Sequence, residues 1–497
     1  MTRENKSTII LSLIVCGIAA ILGVLNKSYL VSGMYIGTVI LASIIMREKE
    51  IYDQLYAILL ISLCYDYVLH VPGIESVYMF HIVLAIFTLM SLYKFFREHE
   101  VWENINKVIL CIFVIWFIYM CISVTWALNK SLAVKYIAIY IMMFAFIVDL
   151  MIYNINRKRL ETTIRVVLGI ISLTVLVGFV EVLLGHQLPV KHYADSFENL
   201  SQLHRNMINA RPIAFSFNTN NLAATLAILS PLCFYAIYKF ENIILKVWFI
   251  IVSIAAFGLI VVTTSRTGSF AFIFGFIVYI IYSICSIRRL GVKQIIFPLI
   301  LIGGFYIAYN YSGYLVKVAP VDGEKVENIT LSDKIHALEE MQFEEGGEGS
   351  VNVRGTIIKD VLVEGLIHNK NYLGYGVGNV EQYVRDQGNT GTVFSPHCYP
   401  IEILADFGVP GVILYGVYYL YLLISNIVIG IQKKSVMCFA AVSGLIAFAP
   451  ASFGPSSITY VFSYWLLIAF SIACIQVYRK EDTGSFNRTT FKEFRFY

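Results

Sequence analysis

Apolar runs long enough to cross a membrane recur along the whole of this 497-residue chain and constrain its fold more than any other feature. A helix of about 17 to 25 apolar residues spans the hydrocarbon of a bilayer. Charged residues make up only 14% of the chain, too few to cover a soluble globule of this length. We therefore predict an all-α polytopic membrane protein with about 14 transmembrane helices. The predicted spans are residues 8–25, 29–46, 54–71, 77–95, 107–127, 131–153, 163–185, 221–239, 243–264, 267–286, 295–314, 401–430, 436–453 and 457–477.

The basic residues fall mainly on one side of these spans. Of the 37 Lys and Arg residues, 23 lie in the termini and in the connections that share their side. Short cytoplasmic segments carry such an excess, so we predict that both termini are cytoplasmic and that the loops at 186–220 and 315–400 face outward. The net charge of +4 follows from this sidedness, and we predict no nucleic-acid partner.

The long polar segment divides the chain. We predict transmembrane helices 1–11 in residues 1–314 and an extracytoplasmic loop domain in residues 315–400, between the eleventh and twelfth spans. Transmembrane helices 12–14 are predicted in residues 401–480, and a cytoplasmic tail in residues 481–497.

A histidine stands at the border between the long loop and the next apolar run, in SPHCYPIEILADFGVPG (395–411). At the water side of a membrane His397 could take a proton from a hydroxyl near neutral pH. The alternative is that His397 only caps the incoming helix. Two glycines follow it, Gly408 and Gly411.

Two arginines stand at the outer ends of predicted spans. Arg211 precedes a run of asparagines, at a membrane edge where a guanidinium is costly unless it meets an anion. Arg266 lies in the tight turn TTSRTGSF (263–270), where Gly268 allows close backbone approach and the next helix points its positive end outward. We interpret Arg266 and that helix end as a small anion site. For both arginines the alternative is contact with lipid phosphates or water alone.

Arg354 heads an amphipathic pattern in the long loop. The pattern predicts a helix lying on the bilayer surface, with an apolar face made of Ile357, Ile358, Val361 and Leu362. The Arg354 guanidinium either reaches the same anion as Arg266 or stays in water. A second helix is predicted from Ser332, a good N-cap residue, to about Met341. The acidic stretch 344–350 that follows is interpreted as a solvated surface.

Other features indicate no further chemistry. All cysteines except Cys398 fall within or beside apolar spans, so we predict neither a disulfide nor a metal site. The glycine-rich segment 372–379 lacks the Lys-Ser/Thr pair of a phosphate loop, and we predict a tight turn packed on the membrane surface. The other ionisable residues singled out within predicted spans are Asp66, His81, Asp149 and Glu181. For Glu181 we favour a structural role over one of orienting an acceptor sugar.

Three segments together resemble the O-antigen ligase and Wzy-type polysaccharide polymerase family of bacterial membrane glycosyltransferases. They are RPIAFSFNTNNLA from Arg211, SRTGSFAFIFGF from Ser265, and HCYPIEILADFGVPGV from His397, which matches a pattern of His, a polar residue, nine residues, Gly, two residues, Gly and an aliphatic. The sequence departs from that pattern at Cys398, where Asn, Ser or Gln is usual and a thiol is a weaker hydrogen-bond partner.

The resemblance implies a GT-C-like helical fold in the bacterial cytoplasmic (inner) membrane, with the active site on the extracytoplasmic face. It implies transfer of a glycan from an undecaprenyl diphosphate carrier to a glycan acceptor. Arg211, Arg266 and Arg354 are the candidates to bind the diphosphate, and His397 the candidate base, with inversion at the anomeric carbon. Because arginines can replace a cation on the diphosphate, we expect no metal and no cofactor.

Three functions remain open. A polymerase joins lipid-linked repeat units into a surface polysaccharide, whereas a ligase passes the finished glycan to a lipid or protein acceptor. We prefer the polymerase, because many spans with a long outer loop suit it and no ligase-specific acceptor motif is recognisable. A flippase or solute transporter is less favoured, since no internal repeat and no paired intramembrane charges are found. Membrane lipids, a flippase and a chain-length regulator are the expected partners.

Overall fold

The computed structural model describes residues 3–46, 49–65, 68–190, 201–291, 293–321, 329–339, 343–347 and 349–480. Within these ranges the chain is mostly helical and contains one two-stranded β-hairpin. The elements are α1 Arg3–Leu25, α2 Tyr29–Ile45, α3 Ile51–Cys64, β1 His70–Val71, β2 Ile74–Tyr78, α4 Met79–Arg97, α5 His99–Asn104, α6 Lys107–Ser123, α7 Lys130–Tyr153, α8 Arg157–Leu184, α9 Gln202–Asn209, α10 Thr219–Leu229, α11 Pro231–Lys239, α12 Ile243–Val262, α13 Arg266–Leu290, α14 Lys293–Tyr311, α15 Leu331–Glu339, α16 Ser350–Lys359, α17 Val380–Gln387, α18 Tyr399–Lys433, α19 Val436–Ala451 and α20 Phe462–Lys480. Short 3-10 turns at Ser312–Leu315 and Ile458–Tyr460 and a π-helical stretch at Asp360–His368 complete the list.

Many of these helices are long and apolar enough to cross a membrane. In the described chain nine helical segments meet that requirement: Met79–Arg97, Lys130–Tyr153, Arg157–Leu184, Thr219–Lys239, Ile243–Val262, Arg266–Arg288, Gln294–Leu315, Tyr399–Lys433 and Phe462–Arg479. The chain is therefore a multi-pass membrane protein. Shorter apolar helices are Ile9–Leu25, Tyr29–Ile45, Ile51–Cys64, Lys107–Ser123 and Val436–Ala451. Because these are too short to qualify by length, the count of 14 spans stays a prediction, as do the domain division and the position of the outer loop.

The β-hairpin departs from the predicted all-α fold. The span predicted over 54–71 ends as a helix at Cys64, and β1 and β2 then pair antiparallel, with His70 opposite Tyr78. Pro72 cannot continue a helix and Gly73 adopts a positive φ of 82°, so the sequence VPG turns the chain between the strands. Asp66 lies outside the described residues.

Close crossings at glycines pack α13 against α10 and α19. A Cβ at Gly268 on α13 would stand 2.6 Å from the Cβ of Ala223 on α10. A Cβ at Gly275 would stand 3.2 Å from the Cβ of Ala447 on α19. Small residues let helix backbones approach in this way in membrane proteins. As a result the first turns of α10 and α13, which carry two of the family-like motifs, lie against each other.

The helix headed by Arg354 packs on protein, which corrects the predicted position on the bilayer surface. Ile357 and Val361 are buried in a second apolar cluster, on which Ile358 and Leu362 pack. The rest of that cluster comes from α17 and from the beginning of α18: Val380, Tyr383, Val384, Cys398, Ile401 and Ala405. The amphipathic pattern predicted an apolar face correctly, but a partner from residues 380–405 covers that face.

The predicted helix at Ser332 begins slightly earlier than its capping signal indicated. α15 runs from Leu331, and Thr330 is its cap: the Thr330 hydroxyl accepts from the Asp333 amide at 3.2 Å, and the Asp333 carboxylate accepts from the Thr330 amide at 2.8 Å. This reciprocal pair satisfies two helix-end donors, which Ser332 inside the helix cannot do. Met341 and the predicted tail 481–497 lie outside the described residues.

Candidate active site

The motif glycine Gly408 marks a break inside α18. Its φ of 61° and ψ of −158° are not helical, and Pro410 two residues later has no amide to donate. The backbone groups freed by the break bond to the glycine-rich segment 372–379: Val409 N donates to Tyr372 O at 2.8 Å, while Ala405 O accepts from Tyr375 N at 2.7 Å. The predicted tight turn is thus present, and it packs against the break in α18.

The carboxylate of Asp406 holds the other end of the glycine-rich segment. It accepts from Gly378 N and from Val380 N, both at 2.8 Å. A Cβ at Gly374 would stand 2.5 Å from Gly408 N, and one at Gly411 would stand 2.1 Å from the Cβ of Phe407. The glycines of the motif therefore serve close backbone packing immediately after His397.

His397 itself has a strained backbone and a fixed ring. Its φ is 47°, a left-handed conformation that non-glycine residues rarely adopt. The N-cap of α18 is Cys398, which makes no side-chain capping bond, so capping by His397 is not what the structure contains. The His397 Nδ1 lies 3.0 Å from Gly454 O. A carbonyl oxygen only accepts, so Nδ1 donates and Nε2 keeps its lone pair.

Arg354 and His397 bond to neighbouring carbonyls of one loop. Its Nη1 donates to Phe453 O at 3.0 Å, one residue before the carbonyl that binds the histidine. Burial, and then the positive charge of Arg354, lower the pKa of His397 to about 4. The imidazole is therefore neutral at physiological pH and can accept a proton.

The loop whose carbonyls accept hydrogen bonds from both side chains joins α19 to α20. We call residues 452–461 the α19–α20 loop. Ser395 Oγ donates to Ser456 O, and Tyr399 N donates to Ser452 O at 3.2 Å. The buried carboxylate of Glu402 accepts from the hydroxyls of Ser457 and Thr459. Sequence reasoning missed this loop, because nothing in its composition shows that its carbonyls bind residues some 60 positions earlier.

The α19–α20 loop also contacts the segments that contain the arginine motifs. A Cβ at Gly454 would stand 2.9 Å from Thr267 Oγ1, next to Arg266, and 3.9 Å from the Cβ of Asn220. His397 and the start of α13 therefore both contact Gly454. The structure brings together His397 with Arg354, and places the segment around Arg266 against the same loop.

Arg211 and Arg266 both bond to the backbone around the start of α15. Arg211 Nη2 donates to Ile329 O at 3.4 Å, and Arg266 Nη1 donates to Lys334 O at 3.2 Å. Lys334 Nζ donates to Thr264 Oγ1 at 2.8 Å. Burial lowers the pKa of Arg211, and the pKa of Lys334 falls to about 8 because of burial and then the charges of the two arginines. Three cations thus lie close together, and Lys334 is one that sequence reasoning missed.

Glu181 positions the backbone that follows Arg211. Its carboxylate accepts from Leu188 N at 2.7 Å, from Ile213 N at 2.8 Å and from Ala214 N at 2.6 Å. Ala214 and Thr264 have positive φ values of 49° and 56°. Each of the three family-like motifs therefore contains or adjoins a non-glycine residue in a strained conformation, which is common at functional sites.

The remaining candidates have local partners. His81 Nδ1 accepts from Tyr78 N at 2.9 Å and so caps α4, while Asp149 accepts from Thr88 Oγ1 at 2.6 Å. Cys398 is buried in the second apolar cluster, where the departure from the family pattern is accommodated by packing. Among the described residues no group of three or more His, Cys, Asp or Glu could hold a metal ion. The expectation of a metal-independent reaction stays a prediction.

Comparison with known proteins gives two similarities. Residues 250–416 match the family model described as O-antigen ligase. That range contains Arg266, Arg354, His397 and both motif glycines, whereas Arg211 lies before it. The chain is also 22% identical over 419 residues to the teichuronic acid biosynthesis protein TuaE of Bacillus subtilis (strain 168), with 82% of this chain and 80% of TuaE covered.

Both similarities agree with the sequence motifs and with the apolar helices. The family implies lipid-linked glycan substrates and contact with membrane lipids. The match to the O-antigen ligase domain and the relative in teichuronic acid biosynthesis together show that this chain is similar to the O-antigen ligase and Wzy-type family of polysaccharide-biosynthesis membrane proteins.

Proposed function

We propose that this chain polymerises lipid-linked oligosaccharide repeat units of a surface polysaccharide. The donor is a glycan on undecaprenyl diphosphate, the acceptor is a second lipid-linked glycan, and the reaction takes place at the extracytoplasmic face of the bacterial inner membrane. The observation that carries the proposal is the α19–α20 loop. His397 and Arg354 bond to its carbonyls, and Thr267, next to Arg266, contacts its Gly454.

His397 is the proposed base. Its Nε2 takes the proton of the acceptor hydroxyl while the hydroxyl oxygen forms a bond to the anomeric carbon of the donor. The bond between that carbon and the diphosphate oxygen breaks, and its electron pair leaves with undecaprenyl diphosphate. Attack from the side opposite the leaving group inverts the anomeric configuration. The bond from Nδ1 to Gly454 O supports this role, because it fixes the ring and leaves Nε2 unprotonated.

Arg211 and Arg266 are the proposed ligands of the diphosphate, and Arg354 is a third candidate close to the base. The leaving group gains negative charge as its bond to the sugar breaks, so fixed cations at a membrane surface stabilise the transition state more than the ground state. Guanidinium groups suit this role because their planar fork matches phosphate oxygens. Arg211 and Arg266 donate to backbone carbonyls, which a phosphate can replace.

A ligase is the second candidate, and the description of the matched family model favours it. In that case the finished glycan passes to a lipid or protein acceptor with the same base and the same cations. The similarity to a teichuronic acid biosynthesis protein supports polysaccharide assembly of either kind. We prefer the polymerase for its many spans and long outer loop. A flippase is less favoured, because buried Asp149, Glu181 and Asp406 bond to hydroxyl or amide donors.

The glycan profile of cells that carry His397→Ala distinguishes these functions. For a polymerase we expect loss of surface polymer with single repeat units retained. Long polymer that accumulates on its lipid carrier would instead indicate a ligase, and repeat units trapped inside the membrane would indicate a flippase. His368→Ala is the matched control, because His368 is an exposed histidine in the same predicted loop and its side chain bonds to Glu364 on the same helical turn. A normal glycan profile in His397→Ala cells would rule out His397 as the catalytic base in any of these functions.

A further inference from the structure

Lys334 is a cation close to Arg211 and Arg266 that none of the three motifs contains. It lies in the first turn of α15, and both its backbone carbonyl and its side-chain ammonium bond to residues at the start of α13. Its carbonyl accepts from Arg266 Nη1 at 3.2 Å, and its ammonium donates to Thr264 Oγ1 at 2.8 Å. Arg211 reaches the residue before the Thr330 cap, Ile329 O, at 3.4 Å. The start of α15 and the residues just before it therefore bind both arginines, and Lys334 adds a third positive charge.

The three cations have no acidic partner among the residues that the structure describes. Within the part of the chain that the structure describes, no carboxylate forms an ion pair with Arg211, Arg266 or Lys334. Asp333 is next in sequence, but its carboxylate bonds to the amide and hydroxyl of Thr330. Like charges held together by a protein are unfavourable unless an anion binds between them, so this arrangement indicates an anion site.

We propose that Lys334 binds the diphosphate of the carrier together with Arg211 and Arg266, as a third cationic ligand of the leaving group. This inference rests on the proposed function for the identity of the anion. An ammonium is a compact donor that can reach phosphate oxygens beyond the plane of a guanidinium fork. Lys334 gives up only a hydroxyl acceptor, Thr264 Oγ1, when it turns to a phosphate, and its carbonyl holds Arg266 in place.

A lysine ligand gives the site a pH dependence that arginines alone would not give. The charged groups that act on Lys334 are Arg211 and Arg266. The titratable neighbours on its own helix are Asp333 and His336. Burial and the two arginines hold the pKa of Lys334 at about 8. Lys334 is therefore charged below that pH, and its charge is lost as the pH rises through about 8. Diphosphate binding is expected to weaken over the same range.

Binding of undecaprenyl diphosphate to the purified full-length protein tests the proposal. The variants are Lys334→Met, Lys334→Arg and the control Lys359→Met, which removes an exposed lysine that pairs with Glu345. We expect Lys334→Met to raise the Kd about tenfold or more at about pH 7, since a charge-assisted bond contributes roughly that factor. Lys334→Arg should bind like the parent at that pH. Only the parent and the control should lose affinity at about pH 9, where an arginine remains charged.

Two results would overturn the inference: a Kd for Lys334→Met within about twofold of the parent, or an alkaline loss of affinity that persists in Lys334→Arg. Failure of the proposed function has a different signature. If Lys334→Met weakens undecaprenyl diphosphate binding as expected but the parent transfers no glycan, the proposed anion site is supported and the proposed transferase function fails. If the parent transfers glycan and Lys334→Met binds normally, the inference alone fails.

Discussion

Replacing His397 by glutamine is expected to slow glycan transfer by about 10²- to 10⁴-fold, the usual contribution of a general base. Glutamine can still donate to Gly454 O, so the α19–α20 loop should keep its position. It has no basic nitrogen, so the acceptor hydroxyl keeps its proton during attack. Donor binding should change little, because the cations at α13 and α15 are untouched. The measurement is kcat and KM with a lipid-linked donor, with His368→Gln as the control.

The acid side of the rate profile checks the same role. Since burial and Arg354 hold the pKa of His397 at about 4, the neutral base is present above that pH and is lost as the pH falls through it. The rate should therefore persist at about pH 5.5, where an ordinary histidine with a pKa of about 6.5 is mostly protonated. A transfer rate that falls with an apparent pKa of about 6.5, or a His397→Gln variant as active as the parent, would contradict the assignment.

Gly408→Ala is expected to cause the largest loss of stability of any single change at the site. A Cβ there would stand 2.1 Å from Tyr372 O and 2.5 Å from the carbonyl carbon of Leu373, both backbone atoms that cannot move aside independently. The positive φ of 61° with ψ of −158° adds strain for any residue except glycine. The two effects together should cost at least about 3 kcal/mol of unfolding free energy.

Gly416→Ala is the matched control, because it changes the same residue type on the same helix. A Cβ at Gly416 meets nothing within 4 Å, and its conformation is helical. Alanine there should be neutral or stabilising by up to about 1 kcal/mol. The measurement is the thermal midpoint of each variant in detergent. Equal midpoints for the two variants would show that the close approach of residues 372–379 to the break in α18 does not support the fold.

Much of the fold follows from the sequence, because apolar length is a strong signal for a helix in a membrane. The predicted third span ends at residue 71, just before Pro72 and Gly73. The strands on either side of that turn were not predicted, since two short apolar segments look like continued helix. The position of the Arg354 helix was wrong for a related reason. A pattern of period 3.6 identifies an apolar face, but it does not say whether lipid or protein covers that face.

The candidate site was only partly predictable. Motif residues such as His397 and Arg266 were identifiable, but their partners are carbonyls, which carry no sequence signal at all. Asp406 could have been found, because a carboxylate inside an apolar span is rare and needs donors. Lys334 could not, since a lone lysine in a polar loop looks the same whether it faces water or two arginines.

The most direct test of the central claim is conversion of a defined undecaprenyl-diphosphate repeat unit by the purified full-length protein, with and without a divalent-metal chelator. The proposed chemistry predicts a longer lipid-linked glycan and an equimolar release of undecaprenyl diphosphate, in the same yield with chelator. Absence of released undecaprenyl diphosphate, or loss of turnover on chelation, would contradict a reaction in which a histidine base and protein cations transfer the glycan.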